Sequence, residues 1–171
     1  MPETALKSLG SLEKRGQEGS GVDNAKELCV DANVVVKVVI YEDLSEKARA
    51  LMADAKKQGR KPIAPVFLEV EVDSTLRKKV TQGKITPDEA DRAFQAAMGV
   101  PVILMRLAGQ RKRTWELSKR FSLGHVYDAV YLALADLRGC EFWTADEKLY
   151  NAVKSELSFV KWLGNYSGLS E

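Results

Sequence analysis

Val126-Tyr127-Asp128-Ala129-Val130-Tyr131-Leu132-Ala133-Leu134-Ala135 is the stretch on which the fold turns. At helical spacing it is apolar on nearly every side, so a helix over Val126–Leu137 must lie deep in the molecule. It nevertheless carries a carboxylate, Asp128, near its start. Burying a carboxylate without a partner costs several kcal/mol. Toward the C-terminus, Glu141–Trp143 reads as a strand, Glu147–Val153 as a short helix and Phe159–Trp162 as a last strand. Toward the N-terminus, Gly124 separates this helix from a basic one, on which Trp115 and Phe121 are the expected apolar anchors.

Further upstream the pattern continues. Leu28–Asp31 reads as a buried strand and Asn33–Tyr41 as an apolar helix. Asp43 or Ser45 caps a second helix through Lys57, with Ala48, Leu51, Met52 and Ala55 inward, and Gly59 stops it. Pro62–Ala64 is a short strand. Val66, Leu68, Val70 and Val72 alternate like a strand, whereas Leu68, Val72, Thr75, Leu76 and Val80 repeat like a helix. The longer repeat favours helix, with Pro65 at its first position and Glu71 pointing partly inward. Thr86-Pro87-Asp88-Glu89 starts a helix that runs to Met98 and ends at Gly99. Val100–Met105 is a strand. Strands alternating with helices predict an α/β domain of three layers, α/β/α, around a mostly parallel sheet. Ligands of such sheets bind beyond the carboxyl ends of the strands, where strand order reverses.

Asp128 has company. Asp31 ends one apolar run, Glu71 lies inside Val66–Val72, and Asp146 follows Phe142-Trp143-Thr144-Ala145. Only Lys37 is a nearby basic residue, so the simplest common partner is a divalent cation, which points to phosphate-ester chemistry. Each acid also has a plainer reading: Asp31 as a helix cap, Glu71 as an exposed helix acid, Asp128 as an N-cap behind Gly124-His125, Asp146 as a turn residue. His125, the only histidine, is not needed as a general base. Tyr131 is expected in the core with its hydroxyl bonded.

The 171 residues suffice for one domain with a real core. Residues 1–26, with Gly10, Gly16, Gly19 and Gly21, read as a flexible extension, 27–165 as the domain and 166–171 as a short tail. Apolar residues make up 45% and no stretch approaches a membrane span, so a cytoplasmic protein is expected. The net charge of +2 excludes nothing, but between Arg106 and Arg120 six basic residues face one acid, Glu116. Such a cluster either holds nucleic-acid backbone or forms a solvated face. Cys29 and Cys140 lack zinc-site spacing and are expected buried and reduced, each beside a strand.

Four motifs in order carry a resemblance: Val30-Asp31-Ala32-Asn33; Ala64-Pro65-x5-Glu71-Val72-x3-Leu76; Tyr127-Asp128-Ala129-x-Tyr131-Leu132-Ala133-Leu134-Ala135; and Thr144-Ala145-Asp146-Glu147-Lys148-Leu149. Over about Leu28 to Trp162 the chain resembles the PIN-domain nucleases, most closely the VapC branch, toxin halves of toxin–antitoxin pairs. The resemblance implies a metal-dependent endoribonuclease in which Asp31, Glu71, Asp128 and Asp146 hold Mg²⁺ or Mn²⁺. Asn33 and Thr144 match auxiliary polar positions. Ser74 departs from the asparagine often found three residues past the glutamate. It further implies an RNA substrate, a small antitoxin partner and a homodimer, with Leu44–Gln58 and Leu68–Val80 as contact faces. Arg111, Lys112, Arg113, Lys119 and Arg120 are the candidate RNA-backbone contacts. A stand-alone RNA-processing nuclease, a catalytically silent binding module and a phosphatase-like hydrolase with Asp31 as nucleophile are the alternatives.

Overall fold

The structure, a computed structural model, describes residues 26–168. The expectation of a flexible extension over 1–26 lies, apart from residue 26, outside the described residues, as does the end of the 166–171 tail. In chain order the elements are β1 (Glu27–Val30), α1 (Ala32–Val39), α2 (Ser45–Lys57), β2 (Lys61–Pro65), α3 (Leu68–Thr81), α4 (Pro87–Ala97) and β3 (Ile103–Met105). Then come α5 (Gln110–Arg120), α6 (Val126–Arg138), β4 (Glu141–Thr144), α7 (Glu147–Val153) and β5 (Val160–Trp162), closed by a short 3₁₀ turn over Leu163–Asn165.

All strand pairings are parallel, and the sheet order is β3-β2-β1-β4-β5. The chain steps outward from β1 through β2 to β3, then crosses back to β4 and β5. Right-handed crossovers place α1–α4 on one face and α5–α7 on the other. The contacts agree: α1 packs on α2, α3 and α4, while α5 packs on α6. Strand order therefore reverses between β1 and β4, with Cys29 opposite Phe142 and Val30 opposite Trp143.

Strand β1 is buried along its whole length because helices cover both of its faces. The buried stretch of α6 runs almost unbroken from Ala129 to Ala135, but Val126, Tyr127 and Leu137 are exposed, so the helix is deep only in its middle. Thr86 caps α4 in a reciprocal capping box with Glu89. No described helix is long and apolar enough to cross a membrane.

Some expectations needed correction. Pro65 is not the first residue of α3. It ends β2, pairing with Met105, and the helix begins at Leu68 after a turn. The alternating pattern over Val66–Val72 thus comes from a strand end followed at once by a helix start. Strand β3 starts at Ile103 rather than Val100, since Val100 belongs to a turn that closes α4. Trp115 is no core anchor: 63% of it is exposed, while Leu117 supplies the buried anchor of α5. Cys29 and Cys140 sit on neighbouring strands or beside them, yet both thiols are free and buried, as expected of a reduced pair.

Candidate functional site

The carboxyl ends of β1 and β4 meet where the strand order reverses, and two acids stand there. Asp31 follows β1 and caps α1: its Oδ1 accepts the backbone N–H of Val34 at 2.7 Å. Its Oδ2 accepts the Thr144 hydroxyl at 2.6 Å. Asp146 follows β4 and caps α7 in the same manner, with Oδ1 accepting the N–H groups of Lys148 and Leu149 at 2.8 and 3.0 Å. Thr144, at the end of β4 and wholly buried, joins the two: its hydroxyl donates to Asp31 and accepts the Asp146 N–H at 2.9 Å. The plainer reading of Asp31 as a cap is thus correct for one of its oxygens, and Asp146, read more plainly as a turn residue, is a helix cap as well. Capping leaves Asp146 Oδ2 without a hydrogen bond among the described residues.

The other two acids come from helices on opposite faces of the sheet. Asp128 lies in the first turn of α6, three residues past its N-cap, His125. It is half-buried, and no hydrogen bond reaches it among the described residues. Glu71 lies in the first turn of α3 and accepts the Tyr131 hydroxyl at 2.5 Å. Tyr131 is itself held in place by stacking on Phe142 and by an edge contact with Phe67. Its hydroxyl is bonded, as expected, and the bond ties α6 to α3 across the cleft.

Asp128 is coupled electrostatically to each of the other three acids. Burial pushes Asp31 up from 3.8 to about 6, against the opposing pull of Thr144, Val34 and the Ala145 backbone, and Asp128 adds to the rise. Glu71 is raised by burial and by Asp128, with Tyr131 opposing. Asp128 is raised by burial and by Asp146, with His125 opposing. Asp128 is therefore the hub, felt by Asp31 and Glu71 and itself feeling Asp146. Lys37, the one basic residue near Asp31 in sequence, is not its partner; it binds Glu42 at 3.0 Å. No ion pair to any of the four acids forms among the described residues.

Carboxylates without cations are an unfavourable arrangement that a hard divalent ion would relieve. No group of three or more His, Cys, Asp or Glu side chains among the described residues is placed to hold a metal ion. Magnesium itself needs few protein ligands, because it keeps several of its waters. On donor chemistry, all oxygen and all anionic, the residues fit that ion. Asn33 is exposed on the first turn of α1, and Ser74 is exposed one turn beyond Glu71 on α3.

The five basic candidates on α5 divide. Arg113 binds Asp136 at 2.6 Å and Glu116 at 3.4 Å, and Arg120 pairs with Glu156. Arg111, Lys112 and Lys119 are exposed and make no ion pair among the described residues. Sequence reasoning overlooked Phe67 and Val66, which wall a cleft beside the acids. The only available signal was the turn between β2 and α3, where Val66 ends up exposed and Phe67 half-buried.

Residues 28–154 match the family model of the PIN domain. The chain is similar to the VapC ribonuclease Mb0985 of Mycobacterium bovis, at 31% identity over 117 residues that cover 65% of this chain and 88% of that protein. Ribonuclease VapC9 of Mycobacterium tuberculosis matches with the same identity and coverage. Ribonuclease VapC3 of Mycobacterium tuberculosis is 28% identical over 127 residues, 74% of this chain and 88% of its own length.

Proposed function

The chain belongs to the PIN-domain family, and from that premise we propose that it is a divalent-metal-dependent endoribonuclease, the toxin of a VapC-like toxin–antitoxin pair. The observation that carries this reading is Asp128, which lies within electrostatic reach of the other acids while having no hydrogen-bond donor among the described residues. The relatives named ribonucleases support the same chemistry.

Asp31, Glu71, Asp128 and Asp146 would hold Mg²⁺ or Mn²⁺. When bound, such an ion lowers the pKa of water and offsets charge on the phosphate. The protein's own work is positional. Thr144 fixes Asp31 through its hydroxyl, and Tyr131 fixes Glu71. Asn33 and Ser74, exposed nearby, would serve as polar contacts to substrate. Arg111, Lys112 and Lys119 would meet the RNA backbone directly, whereas Arg113 and Arg120 would first have to leave their acidic partners. A small antitoxin protein would block this cleft, and α2 and α3 offer the faces for a homodimer in the cytoplasm. Against a phosphatase-like role for Asp31 stand its burial and the engagement of both its oxygens.

The test is RNA cleavage by wild type and Asp128→Asn in Mn²⁺ and in EDTA. Wild type should cut only with metal, and the variant should be slower by at least about a hundredfold, the scale of a lost electrostatic contact in the transition state. Equal activity in both proteins would remove the nuclease assignment.

A further inference from the structure

Between the β2–α3 turn, the β3–α5 loop and the first turns of α5 and α6 lies a cleft of about 1130 Å³. Its apolar wall holds Val66, Met105, Trp115 and Val126, and three of these four are unusually exposed for their type: Val66 52%, Trp115 63%, Val126 42%. Its polar rim is Arg106, Arg111 and Lys112, and no Asp or Glu lines it. None of these three cations has an acidic partner among the described residues, whereas Arg113 and Arg120 on the same helix do. An exposed indole beside unpaired cations, in a cleft without acids, matches a ligand with flat aromatic faces and a polyanionic backbone.

One aromatic ring links the cleft to the acidic residues. Phe67 lines it, and the same ring touches Tyr131, which holds Glu71, and lies 6.4 Å from the ring of Tyr127, beside Asp128. Val126 and Val130 line the cleft from one face of α6, and Asp128, two residues from each, projects from roughly the opposite face, so the width of the helix, about 10–12 Å, lies between the two sites.

We propose that this cleft is a substrate subsite in which an unpaired RNA base stacks on Trp115 while Arg106, Arg111 and Lys112 hold the flanking phosphates. The subsite rests on the ribonuclease reading and refines it: the substrate is single-stranded where it crosses α5, because a base locked in a duplex cannot turn its face to the indole. The cations fix position and the indole adds stacking without hydrogen-bond readout, so base preference at this position is weak.

The experiment measures anisotropy of a fluorescent single-stranded oligoribonucleotide, a matched duplex and inorganic polyphosphate. All proteins carry the Asp128→Asn background so that substrate survives, and Trp115→Ala, Trp115→Phe or Arg111→Ala is added. Trp115→Ala should weaken single-strand binding about tenfold, the lower range for one stacked base, and leave polyphosphate binding unchanged. Trp115→Phe should recover most of the loss. Arg111→Ala should weaken all three ligands and reduce the salt slope by about one ion. In the otherwise wild-type enzyme, Trp115→Ala should raise KM and spare kcat. Unchanged oligonucleotide affinity in Trp115→Ala, with cleavage by the wild type intact, overturns the subsite and leaves the nuclease reading standing. So does a change of sedimenting mass in Trp115→Ala without a change in RNA affinity, which would make the cleft a contact between copies of the chain. Absence of metal-dependent cleavage by the wild type defeats the nuclease reading first and the subsite with it.

Discussion

Asp31 serves two ends that conflict. As the cap of α1 it ties down a backbone N–H, which favours folding. As a buried carboxylate beside Asp128 it resists ionisation, with a pKa pushed up to about 6 from 3.8. The folded state therefore binds this proton more tightly than the unfolded chain does. Stability contributed by the protonated form is full near pH 4, falls as pH rises toward 6, and levels off above. A shift of this size means that about 3 kcal/mol of the stability present at low pH is lost by neutral pH. Glu71 and Asp128 are raised as well and add the same sign. In EDTA, Asp31→Asn should melt higher than wild type at pH 7.5, and its stability should fall less between pH 4 and 6. An identical pH profile for the two proteins would mean that Asp31 is not held in its disfavoured charged form.

The elements divide between those that build the site and those that only support the fold. Helix α4 belongs to the second kind. Its start is a Thr86–Glu89 capping box with Pro87 at the first position, legible from sequence and present as read. Thr86→Ala should cost about 1 kcal/mol, lowering the melting temperature by about 2–4 °C for a chain of this size. Cleavage at 25 °C should be unchanged, because no residue of the cap approaches the four acids. A loss of activity larger than the loss of folded protein would show that α4 communicates with the site. Helix α6 belongs to the first kind: one flank presents Asp128, another seats Tyr131 under Glu71, and a third, with Val126 and Val130, walls the cleft.

Across the whole molecule, the two ends of the β1–β4 pair are opposites. At the amino edge, Glu27 is buried and gripped by Arg138 through two bonds of 2.7 and 2.6 Å, and Arg60 binds Glu141 at 3.0 Å. At the carboxyl edge, Asp31 and Asp146 have hydroxyl and amide donors but no ion pair among the described residues. The fold thus supplies arginines to the carboxylates of the amino edge and none to those of the proposed site. Arg138→Ala should destabilise by about 3 kcal/mol, since it strands a buried charge, while cleavage by the protein that remains folded keeps its metal dependence. Conversely, millimolar Mg²⁺ or Mn²⁺ should raise the melting temperature of wild type in proportion to the logarithm of its concentration above Kd. In Asp128→Asn the rise should shrink or vanish. An equal rise in both would place the ion elsewhere.

By itself the sequence determined the alternation of strands and helices, the buried middle of α6 over Ala129–Ala135 and the capping of α4, and it singled out the four acids, because each is written in local periodicity or in the order of short motifs. It could not determine that Arg113 and Arg120 turn to Asp136 and Glu156 while Arg111 and Lys112 stay free, nor that Trp115 faces outward. It also could not fix the bond from Thr144 to Asp31, 113 residues away, or from Tyr131 to Glu71, 60 residues away. Those were decided by the tertiary structure, because which face of α5 is covered depends on how it lies against α6. The Thr144–Asp31 bond exists because β1 and β4 pair side by side, and the Tyr131–Glu71 bond because α6 and α3 approach each other from opposite faces of the sheet.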